Sequence, residues 1–287
     1  EVSGVTTSSK RIAITMDDFA LKYTRRLSVQ DRNAAILSAL AAHNHKAAGF
    51  ITGDYVDSAI GKSVVKSWHD AGHFISNHSF SHQRANDISA VEFTQDIARN
   101  QTYLEALVPT AKNFRFPFLY EGENASKRNA IYDWLSDNNY RHGAVTIGSH
   151  DWYISERLED RLNTDPNMDV SRHRDYYVGH IVQMSEYFHR LALRLGYPDL
   201  PHTLLIHHNI LNGLFLRDVL DGLAANGWEF VDAETALAHP IFDAPTQALN
   251  YGQSILRVLA VDRGVNDDDY PAEAREFGAQ AMDELGL

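Results

Sequence analysis

Short apolar runs alternate with longer amphipathic segments along most of this chain, and that alternation narrows the fold more than any other feature. Residues 11–15 (RIAIT) form a strand-like run that ends on Asp17 and Asp18. Residues 30–43 follow with helical spacing, Ala34, Leu37 and Ala41 on one side and Ile36 and Leu40 beside them. The next pairs are 47–52 with 58–71, a helix closed by Gly72, and 73–76 with 89–108, a helix capped by Ser89 with Glu92 at capping-box spacing and ended by Pro109. Strand 113–118 and helix 126–138 come after them, then a strand over 142–147 that runs on to Asp151 and Trp152. Ile181, Met184, Phe188, Leu191 and Leu195 mark a further helix, and strands at 203–206 and 228–231 flank a helix at 214–225. Such alternation implies a parallel sheet, either a β/α barrel or a doubly wound sheet, and pattern alone does not separate the two.

With 287 residues, 44% of them hydrophobic, the chain can bury a full core. It has no cysteine, which excludes thiolate metal sites, disulfides and a cysteine nucleophile. A formal charge of −12 repels polyanions, so neither nucleic acid nor an anionic membrane surface is an expected partner. No apolar run approaches the roughly 18 residues of a membrane span. No signal peptide is visible, and a start at Glu1 rather than Met permits the expectation of a secreted or periplasmic protein. The charged stretch 153–176 reads as a surface excursion. Residues 246–287 read as a helical extension with an acidic, loose end, following a main α/β domain at 1–245.

In parallel α/β folds the working residues lie at the carboxyl ends of strands. Here those ends carry Asp17 and Asp18, then His78 and His82, then Arg115, then Asp151 and Trp152, then His207, His208 and Asn209. His78 and His82 are four apart, a spacing that on one helical turn points both imidazoles the same way; two surface histidines are the bland alternative. Asp17 and Asp18 either cap a turn or diverge, one toward a metal and one toward a water. One carboxylate with two imidazoles would leave positions open for water and substrate. Either His207 or His208 suits a general acid, with Asp151 holding its tautomer. Arg115, in an otherwise apolar run, calls for a carboxylate partner such as Asp17 unless it is exposed. Trp152 fits either a core position or the wall of a sugar pocket.

Taken in order, these residues resemble the five motifs of the polysaccharide deacetylase family, the NodB-homology domain of carbohydrate esterase family 4. Thr15-Met16-Asp17-Asp18 resembles its TFDD motif, and His78 to His82 its H-S/T-x-x-H motif. Arg115-Phe116-Pro117-Phe118 resembles R-x-P-Y, Asp151-Trp152 the end of the fourth motif, and Leu205-Ile206-His207 the L-x-H of the fifth. The motifs span about residues 11 to 235.

The resemblance implies a distorted (β/α) barrel with a long insertion, about 153–202, before the last catalytic strand. It implies a divalent metal, Zn2+ first with Co2+, Ni2+ or Mn2+ as alternatives, held by Asp18, His78 and His82. Asp17 would be the general base, oriented by Arg115, and His207 the general acid, tuned by Asp151. The Phe118 backbone N–H would hold an oxyanion, and Trp152 would line the acetyl pocket. The implied reaction is removal of acetyl groups from a carbohydrate, first N-acetyl groups of a chitin-like or peptidoglycan amino sugar. Ester hydrolysis of acetylated xylan, a small cyclic amide substrate and a non-catalytic sugar-binding role are the alternatives. Retention of all three metal-type residues argues against the cyclic-amide alternative, and retention of Asp17 against the binding role. The sequence departs from the pattern at Met16, at Phe118, at Gly148 where the fourth motif has its first Asp, and in the length of the insertion. Oligomeric state has no signature in the sequence.

Overall fold

The structure is a computed structural model that describes residues 9–287. Among these residues eight strands form one sheet: β1 (Arg11–Asp18), β2 (Ala48–Ile51), β3 (Phe74–Asn77), β4 (Asn113–Phe114), β5 (Arg141–His142), β6 (Ile147–Gly148), β7 (Pro201–His207) and β8 (Glu229–Phe230). Their order is β5-β4-β3-β2-β1-β7-β6, and every pairing is parallel. Along one side of β1 runs β7; the other side is shared by β8 at its start and β2 at its end. β1 is buried on both faces, which is why its sequence is a continuous apolar run rather than an alternation.

The edge strands β5 and β6 are joined by residues 143–146 alone. A flat sheet of seven strand positions would set them about 29 Å apart. The connecting chain reaches at most about 18 Å. The sheet must therefore curl until its edges approach, and the result is the expected distorted (β/α) barrel. No ladder joins β5 to β6 among the described residues, so a seam remains. The chain after residue 245 crosses that seam: Ile255 N–H donates to Val145 O at 2.9 Å, and the Ser254 hydroxyl to Thr146 O at 2.7 Å.

Among the described residues ten α-helices surround the sheet: α1 (Val29–Ala42), α2 (Ala59–Asp70), α3 (Ala90–Glu105), α4 (Ala125–Asp137), α5 (Asp151–Thr164), α6 (Ser171–Arg194), α7 (Ile210–Ala225), α8 (Ala233–Leu237), α9 (Ile255–Arg263) and α10 (Ala279–Glu284). Ser28, Ser58, Ser89, Asn124, Asn209 and Ser254 accept backbone N–H groups at helix starts, and Ser89 forms the expected capping box with Glu92. One large core runs from Ile12 to Leu287, and a smaller one around Phe93, Phe114, Phe116 and Ile131 lies beneath α3 and α4.

Four sequence expectations need correction. Residues 142–147 are not one strand: the backbone leaves β5 at Gly143, where a Cβ would lie 2.6 Å from the Phe50 ring, and enters β6 at the opposite edge. Strand β4 is shorter than the expected 113–118: after one further ladder bond from Arg115 N–H the chain meets Pro117, which has no N–H to give and starts a single 3-10 turn, Pro117–Leu119. The stretch 153–176 is not a surface excursion: Ile154, Leu158 and Leu162 bury one face of α5, and His173 begins the buried face of α6. The end of the chain is not loose, since Met282 and Leu287 are buried.

Candidate active site

Strand register levels the site. Asp17 pairs with Phe50 on one side and His207 on the other, Ile51 with Asn77, and Asn77 with Phe114. His78 and Arg115 each stand one residue beyond their last pair and continue the ladder, His78 N–H to Ile51 O at 3.2 Å and Arg115 N–H to Asn77 O at 3.1 Å. Residues from distant parts of the chain thus reach one plane at the carboxyl end of the barrel.

The Asp18 carboxylate faces two imidazoles. Its Oδ1 lies 3.2 Å from His78 Nε2 and 2.9 Å from His82 Nε2, and the three donor atoms lie within 4.8 Å of one another. His78 Nδ1 is 2.8 Å from Arg115 O. A carbonyl only accepts, so Nδ1 holds the proton and Nε2 turns a lone pair toward Asp18. His82 Nε2 is buried without a hydrogen-bond partner, although Asp18 Oδ1 is only 2.9 Å away. Lone-pair atoms converging without hydrogen-bonding one another suit a cation, and one carboxylate with two imidazoles suits zinc.

The histidine pair is not on a helical turn. Residues 78–82 form a loop in which Ser79 and His82 have left-handed backbones, φ 64° and 54°. Asp96 of α3 accepts from Phe80 N–H at 3.0 Å and Ser81 N–H at 2.9 Å; Asn77 Oδ1 accepts from Ser79 N–H at 2.9 Å. Sequence reasoning missed both groups. Asp96 carries no local signature, and only its place one helix downstream of the turn could have suggested it.

Asp17 and Arg115 form a buried pair, Nη1 donating to Oδ1 at 2.5 Å. Arg115 also donates to Thr15 Oγ1 at 2.9 Å and Gly143 O at 2.6 Å, and its guanidinium lies 4.0 Å from the Phe50 ring centroid. Burial pushes the guanidinium down, opposed by Asp17, yet an arginine starts high enough to stay charged. Asp17 Oδ2 remains on the metal-type side, 3.7 Å from His78 Nε2.

On the far side Asp151, fully buried, accepts from His207 Nδ1 at 2.7 Å, His207 N–H at 2.8 Å, Asn209 Nδ2 and Asn212 Nδ2 both at 2.9 Å, and the Ser149 hydroxyl at 3.1 Å. Asp151 and Trp152 sit on the first turn of α5, not at a strand end. Burial alone would lower His207; the charge and hydrogen bond of Asp151, with Asp18 and Asp17 nearby, raise it to about 10. His208 points the other way. It is buried against Phe19, its ring 5.0 Å distant, and burial beside Arg32 pushes it down to about 3. Of the two histidines only His207 reaches the site. Asn212 was not singled out in the sequence, although Asn209 and Asn212 stand at N-cap spacing after the strand.

Phe118 follows Pro117 with a left-handed backbone, its ring 4.6 Å from that of His82. Trp152 is 38% exposed, so its indole is not a core group. Among the described residues eleven non-glycine residues have left-handed φ. Asn44 and Asn139 follow the C-caps of α1 and α4, where Asn is at home. Asp18, Phe19, Ser79, His82, Phe118, Leu119 and His150 all lie at the strand ends that build the site, and such costly backbones persist where the surroundings over-determine them.

Fold and site together define a class: a (β/α) barrel with an Asp-His-His cation-type cluster between a buried Asp–Arg pair and a buried Asp–His pair. Residues 4–134 match the family described as polysaccharide deacetylase. A peptidoglycan-N-acetylglucosamine deacetylase from Bacillus cereus is 27% identical over 143 residues, 49% of this chain and 46% of that protein, so the chain spans about half the length of this relative. Among solved structures, a polysaccharide deacetylase from Bacillus cereus superposes with a TM-score of 0.55 at 19% identity, over 86% of this chain and 99% of the other. A family 4 carbohydrate esterase from Streptomyces lividans, in complex with acetate, gives 0.52 at 19% identity, over 79% and 95%. The resemblance to the polysaccharide deacetylase family read from the motifs is borne out, and so is the barrel.

Proposed function

We propose that the chain is a metal-dependent hydrolase that removes N-acetyl groups from an amino-sugar polymer or oligomer, with residues 1–245 as the catalytic domain and 246–287 as an extension packed on it. The observation that carries this reading is the opposition of two differently tuned groups, Asp17 with Arg115 and His207 with Asp151, across the Asp18–His78–His82 cluster. The family of the relatives supports the substrate class.

Asp18, His78 and His82 would hold the cation, Zn2+ first. When bound, it supplies Lewis-acid polarisation and a more acidic water. Asp17, held by Arg115, accepts a proton from the attacking water. The Phe118 N–H donates to the developing oxyanion. His207, already protonated at neutral pH by its partnership with Asp151, gives its proton to the amine nitrogen as the C–N bond breaks; an amine leaves poorly without one. Trp152 would line the acetyl pocket. The charge of −12 favours a neutral glycan over an anionic one. Among the described residues no helix is long and apolar enough to cross a membrane. Action on a cell-wall or external glycan places the protein outside the cytoplasm, a secreted or periplasmic location.

The test is acetate release from N-acetylglucosamine oligomers and from acetylated xylan, side by side, with zinc-loaded and chelator-treated protein. Chelator-sensitive release from the amino sugar is expected. Release from xylan alone would move the assignment to an O-acetyl esterase, and equal release after metal removal would sink the metal reading. Separately, His78→Ala and His82→Ala are each expected to lower zinc content, measured by elemental analysis, by about tenfold or more in affinity. Full metal occupancy in both variants would refute the ligand set.

A further inference from the structure

We propose that the C-terminal extension builds a carbohydrate-binding wall on both sides of the active site, with Phe277 and Tyr251 as the rings on which sugars flanking the reacting unit stack. This rests on the deacetylase reading and adds to it a preference for an oligomer over a single sugar.

Six aromatic residues are exposed among the described residues: Tyr23, Tyr55, Phe118, Trp152, Tyr251 and Phe277. All but Tyr23 are tied to the candidate site by ring contacts. Tyr55 and Phe118 lie 5.5 and 4.6 Å from the His82 ring. Tyr251 lies 5.9 Å from Tyr120, and the Arg84 guanidinium bridges Tyr120 and Phe118 at 5.1 and 4.6 Å. On the opposite side Phe277 lies 5.0 Å from Trp152, the neighbour of Asp151. Two of the five, Tyr251 and Phe277, come from the extension.

Both are held in place. Tyr251 pairs with Tyr120 in an antiparallel bridge, and the next N–H, that of Gly252, donates to Leu119 O at 3.3 Å. Phe277 sits on a turn with left-handed backbone at Glu276 and Phe277, φ 49° and 62°. Apart from two asparagines after helix C-caps, the only other non-glycine residues in that conformation among the described residues are those at the strand ends that build the site. The turn is tied down where Tyr176 donates to Gly278 O at 3.5 Å, and the chain beyond it where Arg157 pairs with Asp283 at 2.7 Å and donates to Leu287 O at 2.5 Å. One side of the Phe277 ring packs against His150, Trp152 and Tyr153, at 5.3, 5.0 and 5.9 Å, which fixes its orientation while 45% of the residue stays exposed. Rigid exposed aromatic faces lose little entropy on binding and match the C–H faces of pyranose rings. The sugar is uncharged, in keeping with the net charge of the chain.

The probes are the N-acetylglucosamine tetramer, the monomer and phenyl acetate, with full-length Phe277→Ala, Phe277→Asn, Tyr251→Ala and Phe277→Tyr. Asn tolerates the left-handed backbone, so it separates ring loss from turn damage. Each ring-removing variant is expected to raise KM for the tetramer, and its calorimetric Kd, by about fivefold to tenfold. The kcat and phenyl acetate turnover should stay within about twofold, and Phe277→Tyr should bind like the parent. Unchanged tetramer Kd in all three ring-removing variants overturns the proposal. So does an equal loss on phenyl acetate in every one of them, which would mean a disturbed site. If the parent releases no acetate from any substrate, the deacetylase reading fails while the Kd still decides the wall: ring-dependent tetramer binding keeps it, and no tetramer binding removes it.

Discussion

Asp17→Asn is expected to lower the rate of acetate release by about a thousandfold, within the range set by loss of a positioned general base, while zinc content stays at the parental level. The amide preserves shape and keeps an oxygen for Arg115 to donate to, but it cannot take the water proton. It also leaves a buried guanidinium, which bonds Asp17 Oδ1 at 2.5 Å in the native protein, without its counter-charge. Breaking such a pair costs up to about 3–5 kcal/mol. The measurement is therefore paired: kcat on the oligomer, and urea unfolding to fix the native fraction. Turnover within tenfold of the parent in folded, zinc-loaded variant would exclude Asp17 as the base. Lost zinc would instead place Asp17 among the ligands.

A second large effect is expected at Asp151. All five groups that surround its carboxylate are donors. Asp151→Asn replaces one acceptor oxygen with an NH2 that must face some of those donors, and no rotation of the amide satisfies them all. The geometry yields most easily at Oδ1, where the Ser149 hydroxyl can turn and His207 Nδ1 can become an acceptor. His207 then carries its proton on Nε2 as a neutral ring, a far weaker acid. The expected loss is about a hundredfold to ten-thousandfold on amide substrates and much less on activated esters, whose leaving groups need no proton. Equal losses on both substrates would argue against His207 as the proton donor.

The same variant has a signature in stability. His207 in the native fold is raised to about 10 from an ordinary 6.5. A raised histidine contributes its stabilisation in full below the unfolded value and loses it as pH climbs through the folded one. The urea midpoint of metal-free parent should therefore fall relative to that of Asp151→Asn between about pH 6.5 and 10. A constant gap across that window would show that Asp151 does not set the protonation of His207.

Much of the site was legible because its chemistry is local. A carboxylate at the end of an apolar run, paired histidines in a turn and an arginine inside an apolar strand are each readable from a few neighbours. The choice between His207 and His208 was not, because adjacent residues at a strand end point opposite ways and only register says which faces the barrel mouth. Asp96 and Asn212 were invisible for a related reason: each acts through one acceptor or donor group aimed at a residue 15 or more positions away. The insertion misled because α5 carries its apolar residues at Ile154, Leu158 and Leu162, diluted by charges on its outer face.

By itself the sequence determined the alternation of strands and helices up to residue 138, the parallel sheet and the identity of the charged groups at its carboxyl end, since burial periodicity and turn chemistry act over a few residues. The tertiary structure decided the rest. Four residues between β5 and β6 force the sheet to curl, register sets which carboxylate meets which base, and the extension crosses the seam to bring Tyr251 and Phe277 beside the site. Each of these depends on distances between segments far apart in the chain, and no local pattern encodes those.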